Sequence, residues 1–402
     1  MDELLVHNGS SPSSFLTTDL PNVTGSFSIL RNLLLPNICL SFVIALQLKP
    51  HVRLACFVAY SFTLVKGFTL STGDSLRDYS MGSAISSDLA TAIHMLWLTD
   101  PVSDFSLEKD STHLASLPFL KRWYWTLCAL YSPRGVGWNY QVANVPPASA
   151  QSRWRFVARQ LLRAFTFYLL VDFAQTYIHS NPLFTNPRPG ASPFDIHSQG
   201  YFCRCVNIIA WLTLAHGSLN MQYLALSAFC VSSGVSEPRY WPDLFGDWKE
   251  CYTVRRHWGV TWHQLMRRYT SSIGRYSAQT LGCKRGTTSS SYIQLYVGFL
   301  VSGLVHIGGD AMVGKQYLGA SFPFFLAQAV AITLEDAVIA FASRVGLKKR
   351  CPRFFGYVWV FVWFSICRAW YIQWAVDAGL AKTRPLKLSI VQTALYTFHN
   401  SE

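Results

Sequence analysis

Charged residues are scarce in this chain. Asp, Glu, Lys and Arg make up only 14% of the 402 residues, whereas 50% are hydrophobic and 15% are aromatic. A soluble domain carries about 25% charged residues, and a soluble core of this size does not need 14 Trp and 27 Phe. The shortage of charge therefore excludes an ordinary soluble protein and predicts an integral membrane protein.

Signatures of metal and nucleic-acid sites are also missing. The ten cysteines are scattered, and the closest pair, Cys203 and Cys205, has neither zinc-ligand nor redox-motif spacing. The sequence has no metal-ligand cluster and no nucleic-acid-binding motif, so we expect neither a metal nor a nucleic acid as a partner. The net charge of +13 instead indicates contact with the anionic headgroups of the lipid bilayer.

Long apolar runs are what the sequence has in place of charge. Eight of them are long enough, or nearly so, for a membrane helix of about 20 residues. They predict an all-α, multi-pass membrane protein with about eight transmembrane helices. The runs cover residues 29–48, 52–70, 84–98, 161–178, 205–230, 293–309, 322–342 and 354–376.

The segment 1–28 precedes these runs. It is polar and lacks the basic start and apolar centre of a cleavable signal peptide. It holds two glycosylation sequons, at Asn8 and Asn22. Most Lys and Arg residues, including those at 348–350, lie in the connections that would be cytoplasmic if this segment were lumenal. The positive-inside rule therefore favours lumenal termini, and we expect the tail 377–402 to be lumenal too.

The densest cluster of charge is the sequence YTVRRHWGVTWHQLMRR at residues 252–268, with four arginines, three aromatic residues and two histidines. At helical spacing, Trp258, Trp262 and Met266 share one face, and the arginines flank it. This pattern predicts an interfacial or re-entrant amphipathic helix near residues 252–270.

A histidine follows within an apolar run, in the sequence FLVSGLVHIGG at residues 299–309. Ionisable groups inside a bilayer are costly and usually face a cavity or a partner. We predict that His306 is catalytic, with a structural hydrogen bond between helices as the alternative. His263 either is catalytic or contacts substrate, or it packs beside Trp262. The spacing of His306 and Asp310 places both on one helical face, so Asp310 is a candidate for orienting the imidazole.

Other polar residues of the apolar runs are interpreted as packing or pore-lining groups. They are Asp88, His94, Asp172, His216, Asn220, Glu335, Asp336 and Arg368. A transporter or channel would use such acids as ion sites, but the chain lacks the internal repeat that many transporters show.

The pair of sequences RRHWGVTWHQLMRR and FLVSGLVHIGG resembles the wax synthase-like branch of the membrane-bound O-acyltransferases. In particular, it is similar to fungal O-acetyltransferases encoded with terpenoid and meroterpenoid pathways. The specific match covers residues 237–325, within a membrane domain of residues 29–376. The resemblance implies that His306 is the active-site histidine in the membrane and that His263 stands where many relatives have asparagine. One departure is His257, where a phenylalanine is expected.

Such an enzyme would use acyl-CoA, here acetyl-CoA, as a co-substrate and a hydrophobic alcohol as the acceptor, in the endoplasmic reticulum membrane. Histidine is a suitable general base for a hydroxyl. Arginines bind phosphates bidentately. We therefore expect an acyl-CoA site made of residues from the basic segment. They are Arg255, Arg256, Trp258, Trp262, Arg267 and Arg268. A wax ester synthase that uses long-chain acyl-CoA and a fatty alcohol is the alternative within acyl transfer.

Overall fold

The structure is a computed structural model that describes residues 24–108, 114–185, 196, 199–346 and 353–399. These residues are mainly helical and contain almost no strand, which confirms the predicted all-α class. The one sheet among them joins two short parallel strands, β1 (Gly25–Ser26) and β2 (Leu70–Ser71). The sequons at Asn8 and Asn22 and the basic residues 348–350 lie outside the described residues.

Fourteen α-helices are found in the described ranges. They are α1 (Leu35–Ala45), α2 (Pro50–Val65), α3 (Ser75–Ile93), α4 (Pro101–Asp104), α5 (Phe119–Leu130), α6 (Arg153–Ser180), α7 (Pro182–Thr185), α8 (Gly200–Ser232), α9 (Val254–Arg256), α10 (Arg267–Thr280), α11 (Thr288–Val313), α12 (Phe322–Arg344), α13 (Arg353–Asp377) and α14 (Ile390–His399).

Every predicted apolar run overlaps one of these helices: α1, α2, α3, α6, α8, α11, α12 or α13. Five helical segments are long and apolar enough to cross a membrane. They are Pro50–Thr69, Gly200–Ser232, Thr288–Val313, Lys315–Arg344 and Arg353–Asp377. These segments support a membrane protein, while the number of eight spans stays a prediction.

Helices α3 and α11 pack with their backbones in close contact. A Cβ atom added at Gly82 would overlap the carbonyl oxygen of Gly308, and one added at Gly308 would overlap Ser86 Oγ. Gly309 faces the Tyr79 ring in the same contact. These glycines therefore serve helix packing, and they place the middle of α3 directly against the part of α11 that carries His306.

The segment that carries the predicted motif packs on α12 and α13. Val254 is fully buried there, in one hydrophobic cluster with Phe325 of α12 and Phe364 of α13. Lipid tails are as apolar as these side chains, so close packing rather than transfer from water stabilises the contact. Since α11 packs against α12 as well, both predicted motifs meet on the same group of helices.

Candidate active site

His306 is held by side chains from three other helices. Its Nδ1 lies 2.9 Å from the Tyr79 hydroxyl oxygen, which lies 2.6 Å from the Tyr371 hydroxyl oxygen. The imidazole stacks on the Phe325 ring, with centroids 4.2 Å apart and planes 10° apart. Helices α3, α12 and α13 therefore fix both the position and the plane of the ring.

The direction of these hydrogen bonds determines whether His306 can act as a base. When Nδ1–H donates to Tyr79 and the Tyr79 hydroxyl donates to Tyr371, Nε2 keeps a lone pair and can accept a proton. Only Nδ1 is hydrogen-bonded to another described residue, and His306 lines a cavity. Nε2 is therefore the nitrogen that a bound substrate can reach.

Tyr79 and Tyr371 were missed by the sequence analysis. A tyrosine in an apolar helix is usually a packing residue, and neither lies near the two motifs. Tyr79 is 227 residues from His306 and 292 residues from Tyr371 in the chain. No local pattern could have shown the contact, because it depends on how α3, α11 and α13 pack.

Asp310 does not orient His306. Its Oδ2 accepts hydrogen bonds from the backbone N–H of Ser321, at 3.0 Å, and from the Ser321 hydroxyl, at 2.8 Å. The carboxylate thus secures the turn before α12. The group that contacts the imidazole Nδ1 is the Tyr79 hydroxyl.

The basic segment is not one continuous amphipathic helix, which corrects the prediction for residues 252–270. Helix α9 continues as a π-helical turn, His257–Thr261, and the chain is extended at Trp262 before α10 begins at Arg267. The Gln264 side-chain amide donates to the Trp258 carbonyl at 3.0 Å and also to that of Trp262. These bonds stabilise the break by satisfying carbonyls that a continuous helix would have bonded internally.

Two acidic residues of α12 attach this segment to the helices. The Glu335 carboxylate accepts hydrogen bonds from the backbone N–H groups of Val254, at 2.7 Å, and Arg255, at 3.2 Å. It also accepts one from Trp359 Nε1 at 2.9 Å. Asp336 forms an ion pair with the Arg255 side chain. Both acids therefore hold the motif in place, in line with their predicted packing role.

A cavity of about 930 Å³ connects the two motifs. His306, His263, Trp258 and Trp262 all line it. Much of the remaining wall is apolar and comes from α8, α12 and α13. Examples are Trp211, Leu214, Leu219, Phe324, Ile372 and Ala375. The volume is near the upper end of the range for small-molecule sites, about 300–1,000 Å³.

His263 faces this cavity from the break between the π-helical turn and α10. Its ring packs against Trp262, with centroids 5.5 Å apart, and against Phe245, at 5.6 Å. Burial lowers the pKa of His263 to about 4, so the ring is neutral at pH 7. Its Nδ1 is buried and has no hydrogen-bond partner in the described part of the chain, which leaves it available to a ligand.

The four predicted arginines differ in what they contact. Arg255 and Arg256 line the cavity, and each is paired with an acid, Asp336 and Glu250 respectively. Arg267 also lines the cavity, but it donates to neutral partners. These are the carbonyl oxygen of Gly259, at 2.7 Å, and the side-chain oxygen of Gln264, at 2.8 Å. Arg267 therefore keeps an uncompensated positive charge next to the cavity.

Arg268 faces away from the cavity. Its guanidinium is buried and donates to the carbonyl oxygens of Ala129, at 2.7 Å, Leu130, at 3.4 Å, and Ser132, at 3.3 Å. The first two carbonyls belong to the end of α5, where the last groups of a helix lack internal partners, and Ser132 lies just beyond that helix. Arg268 therefore links α10 to α5, and we do not retain it in the acyl-CoA site.

Several other polar residues of the apolar runs bond within the protein. Asp88 accepts from Asn37 at 2.8 Å, His94 Nδ1 lies 2.8 Å from Ser272 Oγ, and Asp172 accepts from a backbone N–H of α14 at 3.0 Å. Arg368 differs because it lines the cavity. Among the described residues, no group of three or more His, Cys, Asp or Glu could hold a metal ion.

Comparison with known proteins agrees with this geometry. Residues 241–327, which contain both motifs, match the model of the membrane bound O-acyl transferase family, and residues 152–232 match the C-terminal domain of aspirochlorine biosynthesis protein F. "Acetyltransferase ple2" of Rhodocybe pseudopiperita is 35% identical over 75% of this chain and 79% of its own length. The chain belongs to the membrane-bound O-acyltransferase family.

Other relatives are also similar over most of their length. "Acetyltransferase eriL" of Hericium erinaceus is 29% identical over 80% of this chain and 84% of its own. "O-Mevalon transferase macI" of Penicillium terrestre is 30% identical over 73% and 71%. No solved structure matches the chain. The predicted family and the predicted acyltransferase activity are thus confirmed.

Proposed function

We propose that this acyltransferase moves an acetyl group from acetyl-CoA to a hydroxyl of a hydrophobic, terpenoid- or meroterpenoid-like intermediate. The observation that carries the proposal is that His306, arginines of the basic segment and an apolar wall line the same cavity. The names of the relatives ple2 and eriL, both acetyltransferases, support acetyl as the transferred group.

In this reaction His306 is the general base. Its Nε2 takes the proton of the acceptor hydroxyl as the oxygen attacks the thioester carbonyl, and general-base catalysis of this type contributes about 10²- to 10⁴-fold. The tetrahedral intermediate then collapses, the carbon–sulfur bond breaks, and the thiolate takes the proton from His306. The hydrogen bond from Nδ1 to Tyr79 stabilises the imidazolium between these steps.

The donor binds through its phosphates to the arginines at the basic segment. Arg267 contributes most, because its contacts are with neutral groups, whereas Arg255 and Arg256 are already paired with acids. Trp258 and Trp262 form the wall along which the pantetheine arm reaches His306, and His263 positions the thioester. Burial of the thioester there limits its hydrolysis by water.

The acceptor lies against the apolar wall contributed by α8 and α13, whose side chains match the hydrophobic surface of such an alcohol. It enters from the bilayer or the lumenal side, opposite to the donor. We place the enzyme in the endoplasmic reticulum membrane, where both a lipid-soluble alcohol and cytosolic acetyl-CoA are accessible.

Membranes that contain the protein provide the test. Acetyl-CoA and palmitoyl-CoA are each offered with a terpenoid alcohol and with a fatty alcohol, and membranes with His306→Ala give the background. We expect kcat/KM to be highest for acetyl-CoA with the terpenoid alcohol, about tenfold or more above the other three pairs. Discrimination of this size can come from the fit of the substrates in the cavity. A preference for palmitoyl-CoA with the fatty alcohol would identify a wax ester synthase and contradict the proposal.

A further inference from the structure

The cavity is lined by another arginine without a counter-charge, far from the basic segment in sequence. Arg368 lines the cavity from α13, and its Nε is buried without a hydrogen-bond partner among the described residues. No carboxylate in the described ranges forms an ion pair with it. An arginine side chain is always charged, and a buried charge that lacks compensation is costly. Such a residue requires a functional explanation.

Aromatic rings hold the guanidinium. Its central carbon lies 4.5 Å from the centre of the Phe364 ring and 5.6 Å from that of Trp262. Cation–π contacts of this type stabilise a cation by about 0.5–2 kcal/mol, but they do not neutralise it. The charge of Arg368 is therefore positioned by its surroundings and remains available to an anionic group in the cavity.

His257 supplies one hydrogen bond to this arginine. Arg368 Nη2 lies 3.4 Å from His257 Nε2. A guanidinium can only donate, so Nε2 accepts and the proton of the neutral ring lies on Nδ1, which is 3.3 Å from Cys251 Sγ. Burial lowers the pKa of His257 well below its usual value, which keeps the ring neutral. A phenylalanine, expected at position 257, could not accept this bond.

Arg368 is close to the group that holds the base. Tyr371 follows it by three residues on α13, so the two side chains share a helical face, about 4.5 Å apart along the axis. Tyr371 is hydrogen-bonded to Tyr79, which contacts His306. On its other side Arg368 contacts Trp262, the neighbour of His263. The cation thus borders the part of the cavity that lies next to both histidines.

The transfer reaction creates an anion in that part of the cavity. When the acceptor oxygen bonds to the thioester carbon, the carbonyl π electrons move to the carbonyl oxygen and form an oxyanion, while the hydroxyl proton moves to His306. The oxyanion then re-forms the C=O bond and expels the thiolate. A cation held ready for this oxygen stabilises the transition state more than the neutral thioester.

We propose that Arg368 is a further catalytic residue, whose guanidinium stabilises the oxyanion of the acyl group, and that His257 is its positioning residue. This inference rests on the proposed acyl transfer. It explains why an unpaired arginine lies in the apolar cavity, and it gives a role to the histidine at position 257.

Arg368→Gln and Arg368→Lys test the proposal, with Arg344→Gln as a control that removes an arginine from the exposed end of α12. Acetyl transfer is measured per unit of membrane-inserted protein, as kcat and as KM for acetyl-CoA. We expect Arg368→Gln to lower kcat by about 10²- to 10³-fold, the usual loss for an oxyanion-stabilising group, with KM changed less than about twofold. Arg368→Lys should retain part of the activity.

His257→Phe is the second test and applies even if the Arg368 variants do not accumulate in the membrane. It removes the acceptor but keeps the arginine, so kcat should fall about fivefold to tenfold, the value of one hydrogen bond, with KM unchanged. The glutamine in His257→Gln can still accept a hydrogen bond from Arg368, so this variant should retain most of kcat. If position 257 served packing alone, the two variants would not differ in kcat.

Three results would overturn the inference. They are a kcat of Arg368→Gln close to that of the wild type, a raised KM with normal kcat, which would indicate binding of an anionic substrate group, and equal kcat values for the two His257 variants. An inactive wild type would instead contradict the proposed function itself, so the two failures can be told apart.

Discussion

At the residue scale, the function of His306 depends on the group that holds its second nitrogen. A histidine in an apolar helix can rotate and can adopt either tautomer, and only one tautomer leaves Nε2 free to accept a proton. The Tyr79 hydroxyl, 2.9 Å from Nδ1, and the parallel Phe325 ring together select one orientation.

Tyr79→Phe should therefore lower kcat about fivefold to tenfold, since one hydrogen bond contributes about 1 kcal/mol, while KM for acetyl-CoA stays unchanged. The matched control is Tyr60→Phe, because Tyr60 donates a buried hydrogen bond to Asn37 at 2.7 Å away from the cavity. Both variants are compared by kcat and KM in membranes that contain equal amounts of the protein. Equal kcat losses in both variants would mean that only general stability is affected.

The neighbouring residues Arg267 and Arg268 provide a second comparison. Arg267→Met should raise KM for acetyl-CoA several-fold with little change in kcat, because a phosphate contact persists from the ground state to the transition state. Arg268→Met should leave KM unchanged and lower the free energy of unfolding by about 1.5–3 kcal/mol, since a charged donor to the α5 carbonyls is lost. Initial-rate kinetics and thermal unfolding in detergent measure both effects. A raised KM for acetyl-CoA in Arg268→Met would show that Arg268 does contribute to the acyl-CoA site.

At the element scale, the contact between α3 and α11 brings Tyr79 to His306. Gly308 is required where the two backbones meet, whereas Gly298, two turns and more earlier on α11, has no heavy atom within 4 Å of an added Cβ. Replacing each of these two glycines by alanine therefore distinguishes the effect on the contact between α3 and α11 from the effect on helix propensity.

Gly308→Ala should lower the free energy of unfolding by about 1–3 kcal/mol, the usual cost of overpacking, and should lower kcat as α3 moves away. Gly298→Ala should be neutral or slightly stabilising, because Ala favours a helix. Thermal unfolding of both variants in the same detergent gives the comparison. Equal stability of the two variants would show that the helices do not meet as described.

Helices were predictable from the sequence, because long apolar runs must satisfy their backbone groups internally in a membrane. The break at residues 262–266 was not. Helical spacing of Trp258 and Trp262 indicated one continuous helix, but the Gln264 side chain bonds to the backbone carbonyls of both. A side-chain contact of this type leaves no periodic signal.

At the scale of the whole molecule, the two histidines could be predicted because each lies in a distinctive local pattern. Their environment could not. Tyr79, Phe325 and Arg368 come from three different helices, and they reach the same cavity only after α3 and α12 pack against α11 and α13 packs against α12.

The orientation of the whole chain in the membrane stays a prediction. If residues 1–28 are lumenal, Asn8 or Asn22 should be glycosylated when the protein is made with microsomes, and each Asn→Gln substitution should remove its own glycan. The gel shift after glycosidase treatment measures this. Protection data that place residues 1–28 in the cytosol would reverse the orientation and move the arginines of the basic segment to the lumenal side.

The most direct test of the account is acetyl transfer by His306→Ala per unit of membrane-inserted protein. The control is His51→Ala, an exposed histidine of α2. A general base contributes about 10²- to 10⁴-fold, so we expect His306→Ala to lose at least about 10²-fold in kcat at near-normal abundance, and His51→Ala to behave as the wild type. Activity of His306→Ala above about a tenth of the wild-type value would contradict the account, because a general base makes a larger contribution than that.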